Sequence, residues 1–294
     1  MIPGAVAEAI RPHVGAVGSA QAVGGGCIAH ATRIETPRGR FFLKWAEGEA
    51  GQTFAAEAEG LRLLCEASGP DLVIPSVLAA EAADGGPGFL LLAWLAPGRP
   101  TRADWERFGG ALAALHRAEA PSGEGGRYGL GSDNWIGSKP QRNGWSASWP
   151  QFFGERRLLA QAETVRRRGA WRPEWDPLLE SLVARLPEWL PETPPPSVLH
   201  GDLWAGNALA TERGRFALLD PAVSVGHREA DLAMTELFGG FDGAFYDGYR
   251  AAWPLEPGYA ERREIYNLFH LINHLTHGPG YAGSVERTLR RFGR

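Results

Sequence analysis

The first third of the chain has the hydrophobic pattern of a small β-sheet with one packed helix. Residues 16–46 alternate strand-like runs with two turns, Gly24-Gly25-Gly26-Cys27 and Pro37-Arg38-Gly39. From Thr53 to Cys65, apolar side chains recur three and four positions apart, which predicts an amphipathic helix. Two further strand-like runs follow before Pro97-Gly98 ends the sheet, at Val77 to Ala80 and Phe89 to Leu95.

From Thr101 onward, apolar residues recur mainly at helical spacing. Thr101 is the predicted N-cap of a helix that includes Trp105 to Ala118. Further amphipathic segments are predicted at Trp149 to Arg168, Pro173 to Leu186, Glu229 to Phe238, Gly243 to Ala252 and Tyr259 to Thr276. The chain is therefore predicted to be an α+β protein of two lobes, with a small antiparallel-sheet N-lobe over residues 1–96 and a mainly helical C-lobe over 97–294.

Composition and charge limit the classes of partner that the protein is expected to bind. The chain has 294 residues, of which 44% are hydrophobic, and this is enough core material for two lobes around a cleft. The net charge is −4 and the charges are mixed, so nucleic acid is not an expected partner. Neither a signal sequence nor a membrane span is predicted, and a cytoplasmic monomer is expected. Cys27 and Cys65 fit a reducing compartment and lack the spacing of a zinc site.

Two acids and an amide have the spacing of a phosphotransfer site. Asp202 and Asn207 lie in His200-x-Asp202-x-x-x-x-Asn207, and Asp220 ends the apolar run that begins at Phe216. Phosphoryl transfer depends on charge neutralisation and on holding the attacking hydroxyl in line. In the kinase arrangement the first aspartate positions that hydroxyl, while the asparagine and the second aspartate hold magnesium. The spacing predicts these roles for Asp202, Asn207 and Asp220.

Lysine is rare in this chain and its positions are informative. Arginine supplies nearly all the basic residues, and the lysines are Lys44 and Lys139. Lys44 lies in a strand-like run, where a lysine in a chain that otherwise uses arginine indicates a need for a compact point charge rather than a planar fork, with an edge-strand lysine that reaches solvent as the alternative. Glu57, near the apolar face of the predicted helix, is the candidate partner that orients Lys44, and Glu59 is the competing one.

With these motifs the chain resembles the fructosamine kinase (ketosamine-3-kinase) family, in the aminoglycoside-phosphotransferase-like branch of the protein-kinase-like fold. The resemblance covers nearly the whole chain, and Trp204 and Asp220-Pro221-Ala222 are its most specific details. Other matching motifs are Gly24-Gly25-Gly26-Cys27-Ile28, Phe42-Leu43-Lys44, Phe54-x-x-Glu57, Tyr128-Gly129-Leu130-Gly131, Trp149-Pro150-x-Phe152-Phe153 and Phe269-His270-Leu271-Ile272-Asn273-His274.

The resemblance implies a magnesium-dependent kinase that transfers the γ-phosphate of ATP to O3 of the sugar in a ketosamine. The acceptor would be a ribulosamine, erythrulosamine or fructosamine adduct, small or protein-bound, and the reaction would serve deglycation. Asp202 would act on the sugar hydroxyl, and Asn207 and Asp220 would hold magnesium. Lys44 would contact the phosphates and Glu57 would hold Lys44.

The order of elements also suggests where the nucleotide binds. Backbone groups from Ala93 to Leu95 are candidates for contacting adenine, because they precede the linker between the lobes. Gly24, Gly25 and Gly26 are candidates for covering the phosphates, although a plain hairpin turn is the alternative. Cys27 in this turn is a candidate redox switch, by oxidation or by an intermolecular disulfide, with a buried inert thiol as the alternative.

Aromatic and imidazole side chains are candidates for the acceptor pocket. Trp204 can supply an aromatic wall, or else pack the catalytic loop. His270 and His274 are four residues apart and share a helix face, so either can line the pocket or be satisfied in the core. The segment from Asp133 to Trp149 is a candidate flap or a structural cap. Asp231 is expected to support the catalytic loop structurally.

Two other functions stay open at this point. A kinase of the same fold can act on another hydroxylated amine, of the aminoglycoside, choline or homoserine type. A pseudokinase would bind a nucleotide without chemistry, but such proteins usually lose one of the positions that Lys44, Asp202, Asn207 and Asp220 occupy here.

Overall fold

An antiparallel sheet forms the N-terminal part of the protein in the computed structural model, which describes residues 1–24 and 29–294. The elements of this part are α1 (Gly4–Val14), β1 (Ser19–Ala22), β2 (His30–Thr36), β3 (Gly39–Ala46), α2 (Gly48–Ala67), β4 (Leu72–Val73), β5 (Val77–Glu81) and β6 (Gly88–Ala93). The described strands of the sheet lie in the order β1-β2-β3-β6-β5, and each neighbouring pair is antiparallel.

Strand β6 is buried on both faces because a helix covers each side of the sheet. Phe89 and Leu91 pack in one cluster with Ile10 of α1, whereas Leu90 and Leu92 pack in another with Phe54 of α2. The continuous apolar run of this strand is typical of a strand covered on both sides. The sequence analysis did not predict α1, which is short, begins with glycine and contains a proline.

Helices dominate the rest of the chain, and the predicted α+β class is confirmed. The elements are α3 (Arg102–Arg117), β7 (Asn134–Ile136), β8 (Lys139–Gln141), α4 (Trp149–Phe152), a π-helical segment (Phe153–Leu159), α5 (Ala160–Arg167), α6 (Asp176–Arg185), β9 (Pro196–Leu199), β10 (Ala208–Ala210), β11 (Phe216–Leu218), β12 (Ser224–His227), α7 (Glu229–Leu237), α8 (Gly243–Ala252), α9 (Tyr259–His274) and α10 (Ala282–Phe292). Single 3-10 turns lie at Pro173–Trp175, Leu186–Glu188, Ala205–Asn207, Leu275–His277 and Pro279–Tyr281.

Local chemistry explains where some of these helices begin and break. Helix α3 follows a capping box, in which the Thr101 hydroxyl accepts from the Asp104 amide at 3.3 Å and the Asp104 carboxylate accepts from the Thr101 amide at 2.9 Å. The segment predicted as one helix from Trp149 to Arg168 is divided by the π-helical residues Phe153–Leu159.

Two strand pairs fix the ends of the loop that carries Asp202. Strand β9 pairs with β12, and β10 pairs with β11, so residues 200–207 leave one pair and enter the other. Strand β11 also pairs with β4, which lies before the predicted boundary at residue 96. The division of the chain into lobes 1–96 and 97–294 therefore stays a prediction. Among the described residues, no helix is both long and apolar enough to cross a membrane.

Candidate active site

The register of the sheet places Lys44 beneath α2. Lys44 of β3 lies opposite Leu90 of β6, and Leu90 packs against α2, so Lys44 projects toward the same helix. Its Nζ lies 2.7 Å from Oε1 of Glu57 and also contacts the carboxylate of Asp220. Glu59, the competing partner, instead pairs with Arg62 at the surface at 3.3 Å. The structure thus brings Lys44, Glu57 and Asp220 together.

Burial and charge compete at this cluster. Burial lowers the pKa of Lys44, but attraction to Glu57 and Asp220 outweighs burial and raises this pKa above its ordinary value. Burial also raises the pKa of Glu57 to about 7, against the attraction of Lys44. Lys44 is therefore a permanent cation between two carboxylates, at the position where a nucleotide's phosphates would need one.

Asp231 of α7 fixes the backbone at the start of the loop 200–207, which carries Asp202. Its carboxylate accepts from the amides of His200 at 2.7 Å and Gly201 at 2.8 Å, and it lies 3.2 Å from Nε2 of His116. Burial raises the pKa of Asp231, but the hydrogen bond and charge of His116 outweigh burial and the pKa is lowered. Gly201 has a φ of +81°, and a Cβ there would clash with the carbonyl oxygen of Ala222.

His200 links the loop 200–207 to the end of β11, where Asp220 lies. Its Nε2 donates to the carbonyl oxygen of Leu219 at 2.8 Å, and its Nδ1 accepts from the amide of Asp202 at 3.2 Å. Burial lowers the pKa of His200, so the ring is neutral, as this pair of hydrogen bonds requires. The imidazole therefore fixes the position of the backbone at Asp202 relative to the backbone just before Asp220.

The environment of Asp202 suits a general base. Its side chain is 20% exposed and faces the cleft. Burial, with repulsion from Asp220, raises the pKa of Asp202 to about 7, against the hydrogen bond from Asn207. A base is most effective when its pKa lies near the working pH. The carboxylate can therefore accept a proton near neutral pH.

Asn207 and Asp220 supply oxygen ligands that fit magnesium. Nδ2 of Asn207 donates to the backbone oxygen of Asp202 at 2.8 Å and to its carboxylate at 3.3 Å, so Oδ1 is the atom available to a cation. Asp220 has a φ of +54°, unique among the described non-glycine residues, and backbone strain of this kind clusters at functional sites. Magnesium is usually held by one or two such groups together with substrate phosphates. No group of three or more metal-binding acids, histidines or cysteines occurs in the described part.

Two cavities meet at Lys44 and Asp220. The first, of about 250 Å³, is lined by apolar side chains and by residues 93–95, and it includes Gly24. The second, of about 230 Å³, contains Asp202, Asn207 and Trp204. An apolar cavity next to an acidic one has the layout of a nucleotide base site beside a reaction centre.

Part of the predicted glycine-rich turn lies outside the described residues. Gly24 lines the apolar cavity with Ala93 and Leu95. Gly25, Gly26 and Cys27 are not among the described residues, so the phosphate cover and the redox switch stay predictions. The other cysteine, Cys65, is a free thiol at the surface.

The three residues predicted for the acceptor lie in different surroundings. Trp204 lines the second cavity, and a Cβ at Gly206 would clash with its ring. His270 is buried with its Nδ1 3.9 Å from Oδ1 of Asp202, and this nitrogen has no hydrogen-bond partner among the described atoms. His274 bonds through its Nδ1 to the carbonyl of His270 at 2.8 Å, and its ring packs against Phe238. The structure therefore brings Trp204 and His270 to Asp202, but it does not bring His274 there.

Hairpin β7–β8 contributes residues to the site that the spacing of acids did not predict. Asn134 and Trp135 of the candidate flap line the second cavity. Asn134 is buried, donates to the carbonyl of Val223 at 2.8 Å and accepts from Gln141 at 2.9 Å. Lys139, which the sequence left without a role, is buried in the same hairpin. The rarity of lysine in this chain was the one sequence signal that marked it.

Comparisons with known proteins agree on one family. Residues 5–293 match the family model described as fructosamine kinase. A "Probable ketoamine kinase" of Synechocystis sp. is 39% identical over 273 residues, which are 92% of this chain and 89% of that protein. A chloroplastic "Protein-ribulosamine 3-kinase" of Oryza sativa subsp. indica is 35% identical over 265 residues, 90% of this chain and 75% of that protein.

Solved structures agree with the sequence comparisons. The structure of a "Putative fructosamine-3-kinase" from Thermobifida fusca has a TM-score of 0.85 and 31% identity, and the match covers 98% of each chain. An aminoglycoside phosphotransferase has a TM-score of 0.66 at 15% identity, with 98% of this chain and 96% of that chain covered, which shows a shared fold. The predicted protein-kinase-like fold is confirmed.

Proposed function

The chain belongs to the fructosamine kinase family, and from this premise we propose that it transfers the γ-phosphate of ATP to the 3-hydroxyl of the sugar in a ketosamine. Relatives named for ketoamines and ribulosamines match most of the chain and support this acceptor class. The observation that carries the proposal is the pairing of Lys44 with Glu57 at 2.7 Å and with Asp220, beside the partly exposed carboxylate of Asp202 in the same cavity.

The donor side of the reaction is assigned to the Lys44 cluster. Lys44 contacts the phosphates of ATP, and Glu57 keeps its ammonium in place. Asn207 and Asp220 hold magnesium, which supplies charge neutralisation at the phosphates when it is bound. The apolar cavity at residues 93–95 takes the adenine ring, with backbone groups of Ala93 and Leu95 at its edge.

The acceptor side is assigned to Asp202 and its neighbours. Asp202 accepts the proton of the 3-hydroxyl as O3 bonds to the γ-phosphorus, and the bond from that phosphorus to the bridging oxygen breaks to release ADP. The gap of 3.9 Å between Asp202 and Nδ1 of His270 is too long for a hydrogen bond, and no other described atom bonds to this nitrogen. A sugar hydroxyl that lies beside both groups satisfies that nitrogen.

Trp204 forms a wall for the acceptor, and His274 acts indirectly. The Trp204 side chain is 38% exposed and lines the cavity that contains Asp202. Such an aromatic surface suits the carbon face of a sugar chain. His274, one helical turn beyond His270, bonds to the carbonyl of His270 and so acts on the backbone of that turn rather than on the acceptor. The phosphate at O3 destabilises the adduct, so the reaction serves removal of sugar from amines.

A panel of ketosamines tests this function. Ribulosamine, erythrulosamine and fructosamine adducts of one amine are each incubated with the protein, ATP and magnesium, and ADP release is followed. We expect acceptor-dependent ADP formation with at least one of these adducts. The free amine and the free sugar are the controls and should give the background rate. Background rates with every ketosamine would contradict the proposal, and activity with an aminoglycoside or choline alone would assign the fold to another acceptor.

A further inference from the structure

A third cavity, of about 570 Å³, lies at the turn and second strand of hairpin β7–β8, next to the residues of this hairpin that line the cavity of Asp202. Residues 134, 135 and 137 of this hairpin line the cavity of Asp202, whereas Ser138 and Lys139 line the third cavity. Its remaining polar lining comes from Arg168, Arg172, Thr276 and His277. Neither aspartate nor glutamate occurs among its described lining residues.

Lys139 is a buried cation that has no anionic partner among the described residues. The residue is 1% exposed, and its ammonium makes neither a hydrogen bond nor an ion pair with the described residues. Burial lowers the pKa of Lys139 to about 8, repulsion from Arg168 adds to this, and Asp202 opposes it. Burial of an ammonium group is unfavourable unless a negative partner accompanies it. The cavity therefore has the charge of a site that a ligand anion completes.

The other cations of the cavity strengthen this charge. Arg168 follows helix α5 at the surface and forms no ion pair with a described carboxylate. Arg172 is only partly neutralised, because it pairs with Glu286 at 3.3 Å at the surface and lies over the ring of Trp175. Burial lowers the pKa of His277, so its imidazole is neutral and can donate or accept a hydrogen bond. Lys139 and Arg168, which have no ion pair with the described residues, thus line a cavity large enough for a small oxyanion group.

We propose that this cavity binds an oxyanion group of the acceptor while the sugar hydroxyl lies at Asp202. The inference rests on the proposed function. Neighbouring residues of this hairpin line both cavities, and Lys139 lies near enough to Asp202 for their charges to interact, so one acceptor can extend from its sugar beside Trp135 to its anionic end beside Lys139. The anion is the carboxylate of a glycated amino acid or the phosphate of a ketosamine whose sugar carries a phosphate. Small anionic ketosamines are then preferred over neutral ones.

Three matched acceptors test this preference. They are the ribulosamine of β-alanine, the ribulosamine of β-alanine amide, and the 5-phosphate of the latter, so the carboxylate and the phosphate are varied separately. We expect kcat/KM for one anionic acceptor to exceed that of the neutral one by about tenfold, the scale of one charge-assisted contact. The acceptor with the raised kcat/KM shows whether the cavity binds the carboxylate or the phosphate.

Two variants assign the preference to this cavity. Lys139→Met and Arg168→Gln should each lower kcat/KM for the preferred anionic acceptor several-fold more than for the neutral one. Arg167→Gln, an exposed neighbour that does not line the cavity, should keep the wild-type ratio. Because Arg168 is exposed, its variant should fold even where Lys139→Met does not.

The possible results separate this inference from the function itself. Equal kcat/KM for all three acceptors in the wild type, or equal losses on charged and neutral acceptors in both variants, would overturn the anion site and leave the kinase intact. Absence of transfer to any of the three acceptors and to the wider ketosamine panel would overturn the function.

Discussion

Lys44 and Lys139 are the two lysines of the chain, and both are largely buried in opposite electrostatic surroundings. Lys44 has two carboxylate partners, Glu57 and Asp220, and its pKa is raised. Lys139 has no described partner, and its pKa is lowered to about 8. A buried cation with its partners in place can orient phosphates before they arrive, whereas one without a partner marks where a ligand supplies charge. On the proposed function, the donor side would thus be preorganised, whereas the acceptor side would be completed by its substrate.

Of the substitutions that compare the donor side with the acceptor side, removal of the Lys44 charge should have the largest effect. Lys44→Met leaves Glu57 and Asp220 without their shared cation and removes a positive charge from the phosphates. We expect kcat/KM to fall by about 10²–10³-fold, the usual effect of losing one preorganised electrostatic contact. The initial rate of ADP formation with the preferred ketosamine measures it.

A surface ion pair on the same helix provides the control for Lys44. Arg62→Gln breaks the exposed pair with Glu59 and should change kcat/KM less than twofold, because such pairs contribute little. A loss below tenfold in Lys44→Met would remove the contrast between the two lysines.

Replacement of Trp204 should affect the acceptor side alone. Trp204→Leu removes the aromatic wall next to Asp202, and we expect KM for the ketosamine to rise by about tenfold, the scale of one lost aromatic contact. KM for ATP should change little, since Trp204 does not line the apolar cavity. Separate titrations of the two substrates measure the two constants.

Phe238 is the matched control for Trp204. It is 39% exposed, close to the 38% of Trp204, and it packs against His274 instead of lining the cavity of Asp202. Phe238→Leu should leave both KM values within twofold. A parallel rise of KM for ATP in Trp204→Leu would show that the indole supports the whole cleft.

The smallest predicted effect is a pH-dependent gain in stability from Asp202→Asn. The pKa of Asp202 is raised to about 7 by burial, so the folded state holds the proton more tightly than the unfolded state. The charged form therefore destabilises the fold progressively as the pH rises from about 4 to about 7. Melting without nucleotide or magnesium should show Tm of the variant a few degrees above wild type at pH 8 and equal to it near pH 4.

An exposed aspartate calibrates the melting experiment. Asp71 lies at the surface, and Asp71→Asn should have the same Tm as the wild type at both pH values. If Asp202→Asn gave an equal Tm at pH 8, the carboxylate would not have the raised pKa on which its role as a base depends.

Much of the fold was predictable because the required residues recur in a fixed order. The sheet, its packed helix, the family and the kinase-like fold were predicted and are confirmed. The choice between Glu57 and Glu59 needed the strand register. The pairing of Lys44 with Leu90 shows that the Lys44 side chain contacts the buried face of α2, whereas Glu59 pairs with Arg62 at the surface. Helical spacing placed His270 and His274 on one face, but it could not show which turn of α9 lies beside Asp202.

The acceptor side was harder to predict than the donor side. Strands β7 and β8 are three residues long, too short for an alternating pattern to stand out. The environment of Lys139 can be interpreted only from the fold, which buries it beside Arg168 in a cavity without carboxylates among its described lining residues. The π-helical segment Phe153–Leu159 likewise depends on packing that local sequence does not encode.

The position of the new phosphate tests the account most directly. The wild-type protein is incubated with ATP, magnesium and the preferred ketosamine, and the product is examined by ³¹P and ¹³C NMR before it decomposes. The account predicts one phosphate ester, coupled to C3 of the sugar, and no product from Asp202→Asn at the same time point. A phosphate on another hydroxyl, or equal product from Asp202→Asn, would contradict it.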